Sequence, residues 1–139
     1  MNEKPEHIIE GETGLQRALG YVNYLYADRC ETHLDIDERH KNRSEMLHGG
    51  IHAILIDSAC GFAASRAFSE NGDQRIVTLS LTTNYLASAS DGHIVASGRV
   101  TRAGRSIVYA AGEVRDERGE LLATGNGVFK RVGSGSKKE

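Results

Sequence analysis

An acidic side chain set inside an apolar run is the feature of this sequence best placed to do chemistry. Residues 46–68 read Met-Leu-His-Gly-Gly-Ile-His-Ala-Ile-Leu-Ile-Asp-Ser-Ala-Cys-Gly-Phe-Ala-Ala-Ser-Arg-Ala-Phe. Ile51, Ile54, Leu55, Ala59 and Phe62 form one helical stripe, and Ala53, Ile56, Cys60 and Ala63 fill the other side. A helix that is apolar all round belongs in the centre of a domain. Asp57 interrupts it. A carboxylate there must be paired, face a polar cavity or take up a proton; the bland alternative is a side chain that reaches solvent. At the start of the run, Gly49 and Gly50 follow His48. A helix N-terminus offers unpaired N–H groups and a positive dipole end. Glycine lets a foreign carbonyl approach that backbone. The pair therefore fits an oxyanion-type donor site, although a plain loop-to-helix turn would use the same residues.

Asp57 follows Gly49 by eight positions, about 12 Å at a rise of ~1.5 Å per residue. One reacting carbonyl cannot touch both within a single chain. If both act on one substrate, they come from two subunits related by symmetry, and the site lies at a dimer interface.

The other reactive side chains are less promising. Cys30 and Cys60 form no CxxC and sit among apolar neighbours, as buried free thiols of a reducing compartment do. Cys60 has no histidine placed to activate it. His33, His40 and His52 show no metal-ligand spacing, so no metal is expected. A net charge of −2 gives no electrostatic footprint for nucleic acid. The polar start Met-Asn-Glu-Lys-Pro-Glu-His lacks the form of a signal peptide, and no uninterrupted apolar stretch reaches membrane-spanning length. The expectation is a soluble cytoplasmic protein without nucleic-acid or membrane partners.

These residues need a scaffold. At 139 residues one domain is the default, large enough for a core without disulfides. Residues 1–19 read as a loose lead-in, with a short helix capped by Thr13. Strand formers follow in Gly20–Tyr26. Residues 30–37 alternate, with Cys30, Thr32, Leu34 and Ile36 on one face and Glu31, His33, Asp35 and Asp37 on the other, a half-buried strand. A polar loop over 38–45 leads into the helix. Segments beginning at Ile76, Ile94, Ser106 and Leu121 read as a meander of four antiparallel strands, turned at Asp91-Gly92, Ala103-Gly104 and Arg118-Gly119. Residues 133–139 have the composition of a disordered tail. One all-apolar helix needs a sheet wrapped around it, so the class is α+β, a curved antiparallel sheet enclosing one long central helix.

Asn42-Arg-Ser-Glu-Met-Leu-His-Gly-Gly, with Asp57 nine residues after His48, resembles the hot-dog-fold acyl-CoA thioesterases of the phenylacetic-acid-degradation (PaaI-like) type. The resemblance spans residues 20–132. It implies a hot-dog domain and hydrolysis of an acyl-CoA thioester at a site shared by two subunits of a homodimer, and further a dimer of dimers. It implies no cofactor, coenzyme A being part of the substrate. By that resemblance, Gly49 N–H polarises the thioester carbonyl and Asp57 of the other subunit is nucleophile or general base on water. Asn42 would orient water or thioester, and His48 would support that end of the site. Thr78 stands where related enzymes carry a hydroxyl near the carboxylate, a Thr for the more usual Ser.

Simpler roles stand beside these: a turn former for Asn42, a helix cap for His48, an ordinary strand residue for Thr78. Gly50 joins Gly49 as a substrate-binding candidate. Ala59, Phe62, Ala63 and Tyr85 are candidates for the acyl pocket. Arg102 and Arg105, with Lys130 and Arg131, are placed to meet the CoA phosphates, or only to solvate a sheet edge. Alternatives of other classes are a non-catalytic acyl-CoA binding or sensing module and a thioesterase acting on acyl-carrier-protein. A hydratase of the same fold would carry an Asp-x-x-x-x-His pair near an Asn-Pro, which this sequence lacks; its one proline is Pro5.

Overall fold

A computed structural model describes residues 3–133. The expected tail lies, from residue 134 on, outside the described residues. The elements are β1 (His7–Glu10), α1 (Gly14–Leu19), β2 (Val22–Leu25), β3 (Cys30–Asp35), a single 3₁₀ turn (Glu38–His40), α2 (Gly49–Arg66), β4 (Ile76–Tyr85), β5 (His93–Ala103), β6 (Ile107–Asp116) and β7 (Leu121–Arg131). All seven strands form one antiparallel sheet in the order β1-β2-β3-β5-β6-β7-β4. The sheet curls around α2 in the hot-dog arrangement. No described helix is long and apolar enough to cross a membrane.

The helix lies where the sheet has lost its side chains. A Cβ on Gly98 of β5 would stand 2.7 Å from the Ala59 carbonyl carbon and the Cys60 nitrogen, so glycine there sets how closely α2 docks. Ile51, Leu55, Ile56, Ala59 and Cys60 are buried against Ile94, Ala96, Val108, Ala110, Val114 and Phe129. The alternation expected for residues 30–37 holds in β3. Cys30, Thr32 and Leu34 are buried, while Glu31 and His33 are half-buried and Asp35 is exposed on the outer face. There a row of bonds crosses from β3 to β5: Glu31 to His33 (2.9 Å), His33 Nδ1 to His93 Nε2 (2.8 Å), and His93 Nδ1 to Asp35 (2.7 Å).

Two expectations need correction. The lead-in is part of the sheet: β1 pairs with β2 from His7↔Leu25 to Glu10↔Val22, and Ile9 packs beside Leu25 and Phe62. The helix capped by Thr13 forms as expected, with Thr13 Oγ1 accepting from Gln16 N–H at 3.1 Å. The second correction is to the meander, which holds only for β5, β6 and β7. β4 crosses to the far edge and pairs with β7. The link after it runs over the strand ends, tied at each step. Leu86 N–H donates to Leu122 O, Leu47 N–H to Ala89 O, and Ile36 N–H to Gly92 O.

Candidate active site

The start of α2 is built by histidines. His40 is buried; its Nδ1 accepts from Asp37 N–H at 2.9 Å, and its Nε2 bonds Leu19 O at 2.8 Å. The His40 carbonyl in turn accepts from His48 N–H at 2.9 Å. His48 is the N-cap of α2, extended at φ −63 and ψ 135, and its Nδ1 accepts from Gly50 N–H at 2.8 Å. A Cβ at Gly50 would stand 3.1 Å from that nitrogen, so glycine lets the ring fold back on its own helix. Gly50 N–H is thus occupied by the cap, which corrects its place as a substrate donor. Ile51 N–H bonds the His48 carbonyl at 2.9 Å. Of the three leading N–H groups, only that of Gly49 has no partner among the described residues.

Asn42 is exposed and shapes the loop before α2. Its Oδ1 accepts from Ser44 N–H (2.9 Å) and Met46 N–H (3.2 Å), and its own N–H donates to Met46 O (2.7 Å). This is the turn-forming role in full, and it leaves only the side-chain amide nitrogen for any other task.

Asp57 is half-buried midway along α2. Thr78 Oγ1–H donates to its Oδ1 at 2.8 Å. Thr78 lies opposite the buried Phe129 just before a bulge in β4, so its side chain faces the helix. Asp57 forms no ion pair among the described residues, and its second oxygen accepts no bond there. The structure therefore brings Asp57 and Thr78 together and keeps both away from Gly49 in the same chain.

Tyr85, at the end of β4, donates its hydroxyl to Gly49 O at 2.8 Å. Phe62 does not join it. Within one chain it packs with Leu25, Cys30, Ala63 and Ile9 in a separate apolar cluster, and Ala59 is fully buried in the main core. Burial pushes both thiols up to about 12, so neither Cys30 nor Cys60 supplies a thiolate nucleophile. A groove of about 800 Å³ opens at the other end of α2, lined in part by Tyr26, Arg29, Cys30, Ala63, Arg66 and Phe68. Both its arginines are already paired, Arg29 with Glu3, Asp28 and Glu31, and Arg66 with Glu6.

Arg102 and Arg105 are exposed at the β5–β6 hairpin and form no ion pair among the described residues. Lys130 pairs with Ile107 across the sheet, Arg131 lies over the Phe68 ring at 4.9 Å, and Val132 N–H bonds Arg75 O. These cations mark the end of the molecule beyond the C-terminus of α2. Sequence reasoning passed over His52, noting only that it shows no metal spacing. It is 3% exposed, its Nδ1 lacks a partner among the described residues, and burial lowers its pKa. A polar residue on the buried side of the helix was the available signal.

An unpartnered N–H at a helix start and a carboxylate with one free oxygen are the parts of a site that adds water to a carbonyl and holds the oxyanion. A family model described as the thioesterase superfamily matches residues 45–123. The 1,4-dihydroxy-2-naphthoyl-CoA hydrolase of Escherichia coli (strain K12) is 30% identical over 97 residues, 70% of this chain and 70% of that protein. A thioesterase from Haemophilus influenzae shares the fold with a TM-score of 0.81 at 19% identity, covering 92% of this chain and 89% of that one. A Bacillus halodurans protein solved with CoA superposes at a TM-score of 0.68 and 29% identity, covering 73% of this chain and 66% of that one.

Proposed function

The chain belongs to the thioesterase superfamily, and from that premise we propose that it hydrolyses an acyl-CoA thioester to free acid and CoA at a site shared by two copies of the chain. The observation that carries the shared site is the division of parts along α2: the open Asp57 oxygen and the open Gly49 N–H lie about 12 Å apart at helical rise. A two-fold axis opposite residue 53, midway between them, sets two antiparallel copies of α2 side by side and brings each Asp57 to the other's Gly49. The edge strand β4 supports this reading. Among the described residues it pairs only with β7, and Val77 and Leu79 are 43% and 54% exposed on it. An unpaired apolar edge is a template for a second copy.

In this reading Asp57 takes a proton from water as the water oxygen adds to the thioester carbon. The carbonyl electrons move onto oxygen, where Gly49 N–H of the partner subunit holds them. Collapse of the adduct breaks the C–S bond, and the leaving thiolate takes the proton back from Asp57. Thr78 fixes the carboxylate by its bond to Oδ1. The relatives support CoA as the leaving group, one being a CoA-thioester hydrolase by name and another solved with CoA.

The test removes each half of the site from a different chain. Asp57→Asn deletes the base. Gly49→Pro deletes the donor and sets a Cβ in van der Waals contact with the Tyr85 ring at 3.4 Å; proline is favoured as the first residue of a helix and the ψ of 135 at His48 suits the residue before it. Against a panel of acyl-CoA esters, each variant alone should lose ~10²-fold or more in turnover. After subunit exchange, heterodimers carry one intact site and one doubly altered site, so activity should return to about a quarter of wild type. Verified exchange without recovery would place the site within one chain.

A further inference from the structure

Tyr85 is 55% exposed yet tied down on two sides. Its hydroxyl donates to the Gly49 carbonyl at 2.8 Å, and its ring lies 3.4 Å from where a Gly49 Cβ would stand. The His52 ring meets it edge-on, centroids 5.6 Å apart at 75°. His52 is itself anomalous. Its buried Nδ1 has no partner among the described residues, a cost that an aliphatic side chain would not incur. Burial lowers the pKa of the imidazole, which favours its neutral form. The edge-on meeting with Tyr85 is the ring contact that it makes.

We propose that Tyr85 is a positioning residue for the Gly49 donor and that the His52 ring beneath it fixes the Tyr85 ring, an inference that rests on the thioesterase reading above. Gly49 is the first residue of α2, and its N–H lies outside the helical ladder. Glycine is also the residue with the freest backbone. The Gly49 N–H shares a rigid peptide plane with the His48 carbonyl, which accepts from Ile51 N–H at 2.9 Å, so a second tether acts on where the Gly49 Cα, and with it the donor, sits. The Tyr85 hydroxyl anchors the same residue to the end of β4. The position of the donor is then held from the sheet through the far carbonyl of Gly49 as well as from the helix through the His48 carbonyl. An oxyanion donor acts on charge that exists only after attack, so loosening it should lower kcat and leave KM nearly unchanged.

Tyr85→Phe keeps the ring and removes the hydroxyl. It should lower kcat about tenfold, well short of the ~10²–10³ expected for losing an oxyanion donor outright. In the Gly49→Pro background no donor remains to be positioned, so adding Tyr85→Phe should cost nothing further; effects that simply multiply would overturn the proposal. His52→Leu should slow kcat as Tyr85→Phe does while Tm holds or rises, and His52→Phe, which restores a planar edge, should recover most of the rate. A readout independent of turnover separates this proposal from the reading of function. The Gly49 amide order parameter from ¹⁵N relaxation should fall in Tyr85→Phe and in His52→Leu. A fall in a protein that cleaves no acyl-CoA leaves the positioning intact and removes the thioesterase. Unchanged order and unchanged kcat in a folded Tyr85→Phe remove the positioning and leave the thioesterase.

Discussion

Asp57 is held by one hydroxyl, and that bond makes a residue-level prediction. Thr78 Oγ1–H donates to Oδ1 at 2.8 Å, which should select one rotamer of the carboxylate and leave the other oxygen for water. Thr78→Val is isosteric and deletes the donor. It should reduce kcat about tenfold through looser orientation of the base, with little change in melting temperature because Thr78 is exposed. Thr78→Ser keeps the hydroxyl and should restore the rate, so a Val variant matching wild type in kcat would strip Thr78 of its part. The sequence revealed this pair unevenly. Asp57 was legible from chemistry alone, as a charge in an apolar run, whereas Thr78 was legible only through family resemblance, because one threonine in a strand looks like any other. Gly50 was misread because the ring that caps it comes from a neighbour two residues back, and spacing does not reveal which N–H a side chain will take. Tyr85 was read as an acyl-pocket residue; its bond to Gly49 joins the end of β4 to the start of α2, and no local pattern encodes that.

α2 and β5 meet without an intervening side chain at Gly98, where an added Cβ would stand 2.7 Å from helix backbone atoms. Backbone cannot swing aside as a flexible side chain can. Gly98→Ala should therefore act as an overpacking mutation at the upper end of its range, about 3 kcal/mol, or roughly a 10 °C fall in Tm for a domain of this size. A calorimetric scan measures it, and a shift of only a degree or two would mean the helix is not seated on this strand. Periodicity made α2 and β3 legible, because each repeats its burial over many residues. β1 was missed because its inward contact is essentially Ile9, and the exposed Ile8 beside it breaks the apolar–polar alternation. The crossing of β4 was missed because its place is fixed by its ladder with β7, a long-range pairing that no pattern within the strand encodes. On the outer face, the bond from His33, aided by Arg29 and opposed by burial, holds the Glu31 carboxyl below its ordinary range. A depressed carboxyl stabilises the fold above its unfolded pKa of about 4.3, and that contribution is lost as pH falls through the lower, folded value. The Tm advantage of wild type over Glu31→Gln should therefore be full at pH 6 and shrink below about pH 4.5. A constant difference down to pH 3 would mean that the His33 bond does not favour the ionised form.

At the scale of the whole molecule, the antiparallel pairing of α2 helices proposed above would decide what surrounds each thioester. With a two-fold axis opposite residue 53, the C-terminal end of one α2 lies about 13 Å beyond Gly49 of the other at helical rise. That end carries the β5–β6 hairpin and its exposed Arg102 and Arg105, which have no acidic partners among the described residues. Unspent guanidinium forks suit phosphate oxygens, and the distance matches a nucleotide held at arm's length from the reacting carbonyl. Contacts so remote from the C–S bond bind ground state and transition state alike. Arg102→Ala and Arg105→Ala should therefore raise KM for acyl-CoA several-fold and leave kcat nearly unchanged. The effect should shrink as salt is raised toward 0.5 M, because exposed charges are screened over a few ångströms there. A truncated thioester that keeps the acyl and pantetheine portions but lacks the nucleotide should be hydrolysed equally by variant and wild type. Steady-state kinetics on both substrates at two ionic strengths distinguishes the outcomes. If the variants match wild type on full-length acyl-CoA at low salt, the arginines only solvate an exposed hairpin, and the phosphates are held elsewhere.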